Sequence, residues 1–137
     1  MISKCRLLEI ESYDDERGGL SVLEEDGLVP FPIKRLYYLY HTKVNQVRGV
    51  HAHKKLEQVI IAFAGKFKII LDDGQERKIF ILDQPNLGLY VAPGIWREVY
   101  PLEENGVCAV LASRKYEEDD YIHDYDDFLM YLKDYNL

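Results

Sequence analysis

Cysteine and long apolar segments are both scarce in this sequence. The 137 residues include two cysteines, Cys5 and Cys108, which are too few for a disulfide framework. No window approaches the roughly 18 apolar residues of a membrane-spanning helix. The first residues also hold no apolar run of the length found in a signal peptide. We therefore expect a cytoplasmic protein that has no membrane association and buries its cysteines as small apolar side chains.

A basic face is also missing, and the formal net charge is −7. Seven acids and no Lys or Arg lie between Glu117 and Asp127, and without those seven the remaining 17 acids balance the 17 bases. General nucleic-acid binding needs a basic surface, so we expect no nucleic-acid partner. A local cationic pocket for one nucleotide stays open. The acidic run itself is typical of a solvated connector that leads into a helix.

Short segments rich in strand-forming residues alternate with turn residues through most of the chain. The length suits one domain, residues 1–137. The predicted strands are 33–40, 59–63, 67–71, 77–82, 87–91, 96–100 and 107–112. Helical spacing begins only after Asp124, where acidic residues suit a helix N-terminus. The pattern predicts an all-β sandwich or barrel with a short C-terminal helix.

The segment from Arg48 to His53 carries the strongest chemical signal. Side chains two apart on a strand share a face, so His51 and His53 project together, and the inner face of a wide barrel is a pocket. Together with Glu57 and Gly65, this His-x-His-x-x-x-Glu pattern resembles the first motif of the cupin superfamily. The residues that resemble the second motif are Gly88, Pro93 and Gly94. The resemblance implies a double-stranded β-helix, the jelly-roll barrel of the cupins.

Two imidazoles and a carboxylate are able to form a facial triad for a metal ion. Many cupins add a His from the second motif, but Arg97 stands at that position here, and its charge opposes a bound cation. We therefore expect no metal and a histidine pair that works in acid–base catalysis. Tyr37, on the preceding strand, is a candidate second proton donor or acceptor.

Cationic and aromatic residues complete the predicted site. Arg17, Arg48 and Arg97 are candidates for gripping a diphosphate, because a guanidinium fork matches its oxygens. Trp96 is a candidate for stacking on a nucleobase, or alternatively a plug in the barrel interior.

Taken together, these residues resemble the nucleotide-sugar 3,4-ketoisomerases, a cupin branch that acts on dTDP-4-keto-6-deoxy-D-glucose. The likeness runs from Asp15 to Phe128. The segments that carry it are Glu16-Arg17-Gly18, Pro32-Ile33-Lys34-Arg35, Tyr37-Tyr38, Arg48-Gly49-Val50-His51-Ala52-His53-Lys54, Leu71-Asp72-Asp73-Gly74, Pro93-Gly94-Ile95-Trp96-Arg97-Glu98 and Tyr116-Glu117-Glu118-Asp119-Asp120-Tyr121-Ile122.

The resemblance implies an isomerase without metal or other cofactor that moves the ketone from C4 to C3 through an enediolate. His51 corresponds to the proposed base, Tyr37 to a second acid or base, His53 and Arg48 to pocket residues, and Arg17 to a residue near the sugar or diphosphate. The resemblance also implies a homodimer with exchanged N-terminal strands. A PLP-dependent aminotransferase would then take the product towards 3-amino-3,6-dideoxy sugars of surface glycans.

Three alternative functions stay open from the residues alone. An epimerase uses the same enolisation but returns the proton to the opposite face of one carbon. A metal-dependent cupin oxygenase and a non-catalytic sugar-nucleotide binding module belong to other classes. The gluco or galacto configuration at C4 of the product also stays open, because it depends on which face receives the proton.

Overall fold

The computed structural model describes residues 1–135, so the last two positions of the predicted domain, 136 and 137, lie outside the described residues. The described chain consists of strands, one α-helix and two short 3-10 turns at Ile2–Lys4 and Glu118–Asp120. The strands are β1 (Arg6–Glu9), β2 (Ser12–Asp15), β3 (Gly18–Ser21), β4 (Arg35–Leu39), β5 (Arg48–His53), β6 (Gln58–Ala64), β7 (Phe67–Asp72), β8 (Arg77–Leu82), β9 (Leu87–Val91), β10 (Trp96–Pro101), β11 (Val107–Ala112) and β12 (Tyr121–Ile122). The helix α1 is Tyr125–Tyr135.

Two five-stranded antiparallel sheets form the body of the fold. Their orders are β1-β9-β6-β11-β4 and β12-β5-β10-β7-β8, and β2 and β3 form a separate hairpin. Apolar side chains from both sheets, such as Ile61, Leu89, Phe67 and Ile69, make one buried cluster. This arrangement confirms the predicted all-β barrel with a short C-terminal helix.

Most predicted strand positions agree with the structure. The segments 77–82, 87–91 and 107–112 match β8, β9 and β11. The predicted strand 33–40 is shorter, because its pairing to β11 runs from Arg35 to Leu39 and His41 then adopts a positive φ of 53°. The predicted list omitted β1, β2, β3 and the two-residue β12. For β2 and β3 the reason is composition, since Ser12–Asp15 and Gly18–Ser21 are rich in acidic residues and glycine, which have low strand propensity.

The C-terminal helix covers the outside of the second sheet. Its first turn is capped by Asp124, whose Oδ2 accepts a hydrogen bond from the Asp127 amide at 3.1 Å. Phe128 is fully buried, and its ring centroid lies 5.8 Å from that of Trp96 on β10. In the described part of the chain, no helix is long and apolar enough to cross a membrane.

Strand alternation decides which side chains face the barrel interior. On β10, Arg97 and Val99 point inwards, whereas the Trp96 indole donates a hydrogen bond to Glu98 on the outer face. Both cysteines are buried, as expected, and Cys108 faces the interior from β11. The inner surface of the barrel therefore combines apolar side chains, such as Val99 and Cys108, with a small number of polar groups.

Candidate active site

A cavity of about 290 Å³ lies inside the barrel between the two sheets. It brings together residues of five strands, β4, β5, β10, β11 and β12, because β5 pairs with both β10 and β12 and β4 pairs with β11. The lining residues are Arg35, Tyr37, Leu39, Arg48, Gly49, His51, Arg97, Val99, Cys108, Val110 and Tyr121. Four of the predicted site residues, Tyr37, Arg48, His51 and Arg97, are thus in one cavity.

Backbone pairing places Arg97 opposite His51. The two residues are direct partners in the antiparallel register of β10 and β5. Gly49 makes room for the guanidinium, since a Cβ at Gly49 would lie 3.2 Å from Arg97 Nη2, and its φ of +62° also suits glycine. The glycine of the Arg-Gly-x-His run therefore leaves space for the Arg97 side chain at the site.

Arg97 is a buried cation at the centre of the cavity wall. Its side chain is 2% exposed, and its Nη2 donates a hydrogen bond to the Tyr37 hydroxyl at 2.9 Å. Its Nε and Nη1 atoms have no hydrogen-bond partner, and it pairs with no carboxylate, within residues 1–135. An uncompensated buried cation that lines a cavity favours binding of a negatively charged group.

His51 faces the same guanidinium nitrogen. Its Nε2 lies 3.0 Å from Arg97 Nη2. A guanidinium only donates, so this contact assigns Nε2 as the acceptor and Nδ1 as the protonated nitrogen. Burial lowers the pKa of His51 to about 2, with the charge of Arg97 as the next cause. His51 is therefore a neutral imidazole whose Nε2 lone pair accepts a hydrogen bond from Arg97 at the cavity wall.

Tyr37 receives two hydrogen bonds at its hydroxyl oxygen. One comes from Arg97 and the other from Gln58 Nε2 at 3.1 Å. The sequence reading did not identify Gln58, although an amide at the start of an apolar strand segment is a signal that could have found it.

His53 lies behind His51 and does not line the cavity. Its side chain is 4% exposed, and the two imidazole centroids are 4.7 Å apart. Its Nδ1 is 3.4 Å from Asp120 Oδ2, without the geometry of a hydrogen bond. Burial lowers the pKa of His53 to about 3, followed by the charges of Arg97 and Arg35, and the nearby carboxylate does not offset this shift.

Arg35 and Tyr121 are two further lining residues that the sequence reading missed. The Tyr121 ring centroid lies 5.0 Å from that of His51 and 4.3 Å from that of His53. Arg35 Nη2 donates to the Tyr121 hydroxyl at 3.3 Å, and its guanidinium lies 5.2 Å from the centre of the Tyr37 ring. Arg35 stands two positions before Tyr37 on β4, so the shared face was readable from strand alternation.

Comparison with known proteins identifies the family. Residues 3–133 match the family described as FdtA: WxcM-like, C-terminal. A TDP-4-oxo-6-deoxy-α-D-glucose-3,4-oxoisomerase of Aneurinibacillus thermoaerophilus is 44% identical over 132 residues, which are 96% of this chain and 95% of the relative. The chain belongs to the nucleotide-sugar 3,4-ketoisomerase family.

Two solved ketoisomerase structures are closely similar. A 3,4-ketoisomerase from Helicobacter canadensis has a TM-score of 0.92 and 43% identity, covering 94% of this chain and 97% of that one. A mutant of the 3,4-ketoisomerase QdtA from Thermoanaerobacterium thermosaccharolyticum, in complex with TDP-4-keto-6-deoxyglucose, has a TM-score of 0.94 and 39% identity. That similarity covers 100% of this chain and 99% of the other. These likenesses confirm the predicted cupin jelly roll.

Two residues assigned to substrate binding in this ketoisomerase-family chain lie outside the cavity. Trp96 is 3% exposed on the outer face of β10, with its ring 5.4 Å from that of Tyr125 on α1. It is therefore neither free to stack on a nucleobase nor a plug of the barrel interior, which corrects that assignment. Arg17 lies on the exposed β2–β3 hairpin, where it forms an ion pair with Asp15.

The metal-binding alternative finds little support in the ketoisomerase-family site. Glu57, the carboxylate of the first cupin-like motif, instead accepts a hydrogen bond from the Tyr90 hydroxyl at 2.6 Å. Within residues 1–135, no group of three or more His, Cys, Asp or Glu side chains is arranged to hold a metal ion. The cation at this site is Arg97 itself.

Proposed function

We propose that this chain catalyses conversion of dTDP-4-keto-6-deoxy-D-glucose to the corresponding 3-keto sugar by acid–base chemistry, without a metal or redox cofactor. One observation carries the proposal: Arg97 is buried, has no carboxylate partner among residues 1–135, and contacts both Tyr37 and His51 through one nitrogen. A base, a proton donor and a fixed cation at one point are what an enolisation needs. We choose this sugar nucleotide because it is the compound named for the relative from Aneurinibacillus and for the QdtA complex.

The reaction moves two protons and no oxygen atoms. His51 takes the proton on C3, which the neighbouring C4 carbonyl acidifies. The C3–H electrons form a C3=C4 double bond, and the negative charge on the C4 oxygen is held by Arg97. Tyr37 protonates that oxygen. The C3 hydroxyl then returns a proton to the Tyr37 phenolate and becomes the carbonyl. C4 takes a proton from the His51 imidazolium, directly or after exchange with water, so both side chains regain their starting states in the 3-keto product complex.

The low pKa of His51 has a consequence for this mechanism. Burial and Arg97 keep the imidazole unprotonated at physiological pH, which is the form that a base requires. In this proposal the hydrogen bond from Arg97 to Nε2 gives way when Nε2 takes the C3 proton. A diphosphate and an enediolate oxygen bring negative charge towards Arg97 and Arg35. We infer that these charges raise the pKa of His51 in the reacting complex, so that it can carry the transferred proton.

We further propose that residues 1–137 act as one domain within a cytoplasmic homodimer that exchanges N-terminal strands. One edge of the first sheet is β4, and the segment exposes an apolar outer face: Leu36 and Tyr38 on β4 and Tyr40 just after it are each more than half exposed. Among the described residues the β2–β3 hairpin pairs only with itself. An exchanged hairpin is a route for Arg17 to reach the partner's cavity.

Arg48 is exposed at the edge of the cavity, and we propose that its guanidinium binds the diphosphate of the substrate.

In this proposal the product has a ketone at C3 and passes to a PLP-dependent aminotransferase, which makes a 3-amino-3,6-dideoxy sugar for surface glycans.

The test is to incubate the purified protein with dTDP-4-keto-6-deoxyglucose, follow the sugar by ¹³C NMR, and trap the product with such an aminotransferase. We expect a carbonyl resonance at C3 and transamination there. An inverted centre with the ketone still at C4 would identify an epimerase. Binding of the nucleotide sugar with no proton exchange into it would identify a binding module.

A further inference from the structure

Gln58 is a polar side chain in a part of the barrel where the fold calls for apolar ones. It is 1% exposed at the start of β6, where Val59, Ile60 and Ile61 follow it into the core. Its backbone partners on the flanking strands are Val91 and Ala112, which are also apolar.

The amide nitrogen of Gln58 makes the contacts that matter for catalysis. It donates to the Tyr37 hydroxyl oxygen at 3.1 Å and lies 3.5 Å from His53 Nε2. The same hydroxyl oxygen accepts a hydrogen bond from Arg97 at 2.9 Å. A phenolic oxygen can accept two hydrogen bonds and donate one, so both acceptor positions are occupied by N–H groups. The hydroxyl hydrogen is left free to donate into the cavity that Tyr37 lines.

Packing alone does not account for this amide. In the described chain Gln58 Oε1 has no hydrogen-bond partner, and a buried polar atom without a partner destabilises a fold. An unbranched apolar side chain of similar length would fill the same space without that penalty. The polar group is therefore retained at a cost to stability, which points to a role in function.

Asp120, a second buried polar residue, holds His53 in place on the side away from Gln58. Asp120 accepts hydrogen bonds from the Lys55 and Leu56 amides at 2.8 and 3.2 Å, and its carboxylate lies beside His53 Nδ1. The backbone carbonyl of His53 accepts from the Gly94 amide at 2.7 Å. His53 is thus fixed between Asp120 and Gln58 and limits the orientations open to the amide.

We infer that Gln58 is a positioning residue, which rests on the proposed ketoisomerase function: it occupies one acceptor site of Tyr37 so that the hydroxyl proton points at the substrate oxygen. Gln58 touches no reacting atom in this role. It acts through Tyr37, and it explains why His53, although outside the cavity, lies next to the catalytic groups.

The first test is Gln58→Met, with Gln75→Met in the exposed β7–β8 turn as the matched control. The Met side chain keeps the length and removes the N–H donor. We expect kcat to fall about tenfold or more, because general-acid catalysis contributes at least that much. KM and the affinity for TDP should change less than about twofold, and the thermal midpoint should stay equal or rise, since an unpartnered oxygen is removed. The control should match the wild type in all four measurements.

The second test, Gln58→Glu, separates positioning from a purely structural role through its pH profile. An ionised carboxylate only accepts, so it would draw the Tyr37 proton away from the substrate, whereas a protonated carboxyl can donate. The charged and titratable groups that face this position are Tyr37, His53 and, through Tyr37, Arg97. Because burial raises the pKa of a carboxyl, activity relative to wild type should recover as the pH is lowered from about 8 to about 6.

The outcomes distinguish the two levels of the proposal. An active wild type with Gln58→Met within twofold of its kcat, or with a Gln58→Glu activity ratio that is flat in pH, overturns the inference and leaves the ketoisomerase function intact. If Gln58→Met does not fold, the Gln58→Glu profile decides alone. A wild type that binds TDP but never moves the ketone refutes the proposed function and this inference with it.

Discussion

Arg97 donates a hydrogen bond from Nη2 to His51 Nε2 across 3.0 Å, between two strands that pair directly at these residues. The contact fixes the tautomer of the imidazole and keeps it neutral, since a second positive charge at this distance from a guanidinium is unfavourable. A base and its electrostatic partner are therefore set side by side by backbone pairing.

Replacing the base should remove turnover and spare the fold. In His51→Asn the side chain keeps a similar size but has no titratable nitrogen, so we expect kcat to fall at least about 100-fold. TDP affinity by calorimetry and the circular dichroism spectrum should match those of the wild type. Activity within about threefold of the wild type would exclude His51 as the base.

The buried histidines should make the protein less stable in mild acid. The pKa values of His51 and His53 are lowered to about 2 and about 3 from 6.5, so below pH 6.5 the unfolded chain takes up protons that the folded chain refuses. The free energy of unfolding then falls with falling pH, by up to about 1.4 kcal/mol per pH unit for each histidine.

Urea denaturation at pH 7.5, 6 and 5 measures this loss above the range where carboxylates titrate. We expect His51→Asn to weaken the pH dependence. His41→Asn is the matched control, because His41 is exposed and its φ of 53° is one that Asn tolerates. Equal slopes for the wild type and His51→Asn would contradict the assignment of His51 as a buried neutral imidazole.

Chelation should leave the activity unchanged. Arg97 occupies the place where a metal ion would sit beside His51, and Glu57 is engaged with Tyr90. Treatment with EDTA should therefore retain full kcat, and elemental analysis should find no stoichiometric iron, zinc or manganese. Glu57→Gln keeps an acceptor for Tyr90 and should stay active. Activity that EDTA abolishes and one divalent ion restores would establish a metal enzyme instead.

The proposed dimer with an exchanged hairpin is open to a complementation test. Light scattering should give twice the chain mass of 16.1 kDa at micromolar concentration. If Arg17 acts in the partner's cavity, Arg17→Gln and His51→Asn chains that are mixed and refolded form heterodimers with one intact site, recovering up to about a quarter of wild-type activity by random pairing in a two-fold dimer. Each parent alone should be nearly inactive. A monomer mass rejects the dimer, and an inactive mixture rejects the shared site.

Heavy water should report the proton transfer directly. His51 lines the cavity, so we expect its transferred proton to exchange with solvent and to place deuterium at C4 of the product in most turnovers. Substrate recovered midway should carry deuterium at C3, and His51→Asn should show neither label. A shielded base would instead carry the C3 proton across to C4. If the ketone moves while a C3-deuterium label shows no primary isotope effect, loss or transfer, proton transfer is excluded.

Local patterns in the sequence determined much of the fold and one element of the site. Alternation along a strand put His51 and His53 on one face, and the spacing of apolar residues after Asp124 predicted α1, because both depend only on the geometry of a single element. The motif around Arg48 to His53 also indicated the family, and the comparisons confirm it.

The tertiary structure decided which residues meet. His51 faces Arg97 because β5 and β10 pair in one register, and a shift of one residue would turn Trp96 inwards and Arg97 outwards. Pairing between strands more than 40 positions apart is set by burial over the whole sheet, which no local pattern contains. For the same reason the hydrogen bond between Gln58 and Tyr37 follows from the closed barrel, although the amide in an apolar strand segment is visible in the sequence.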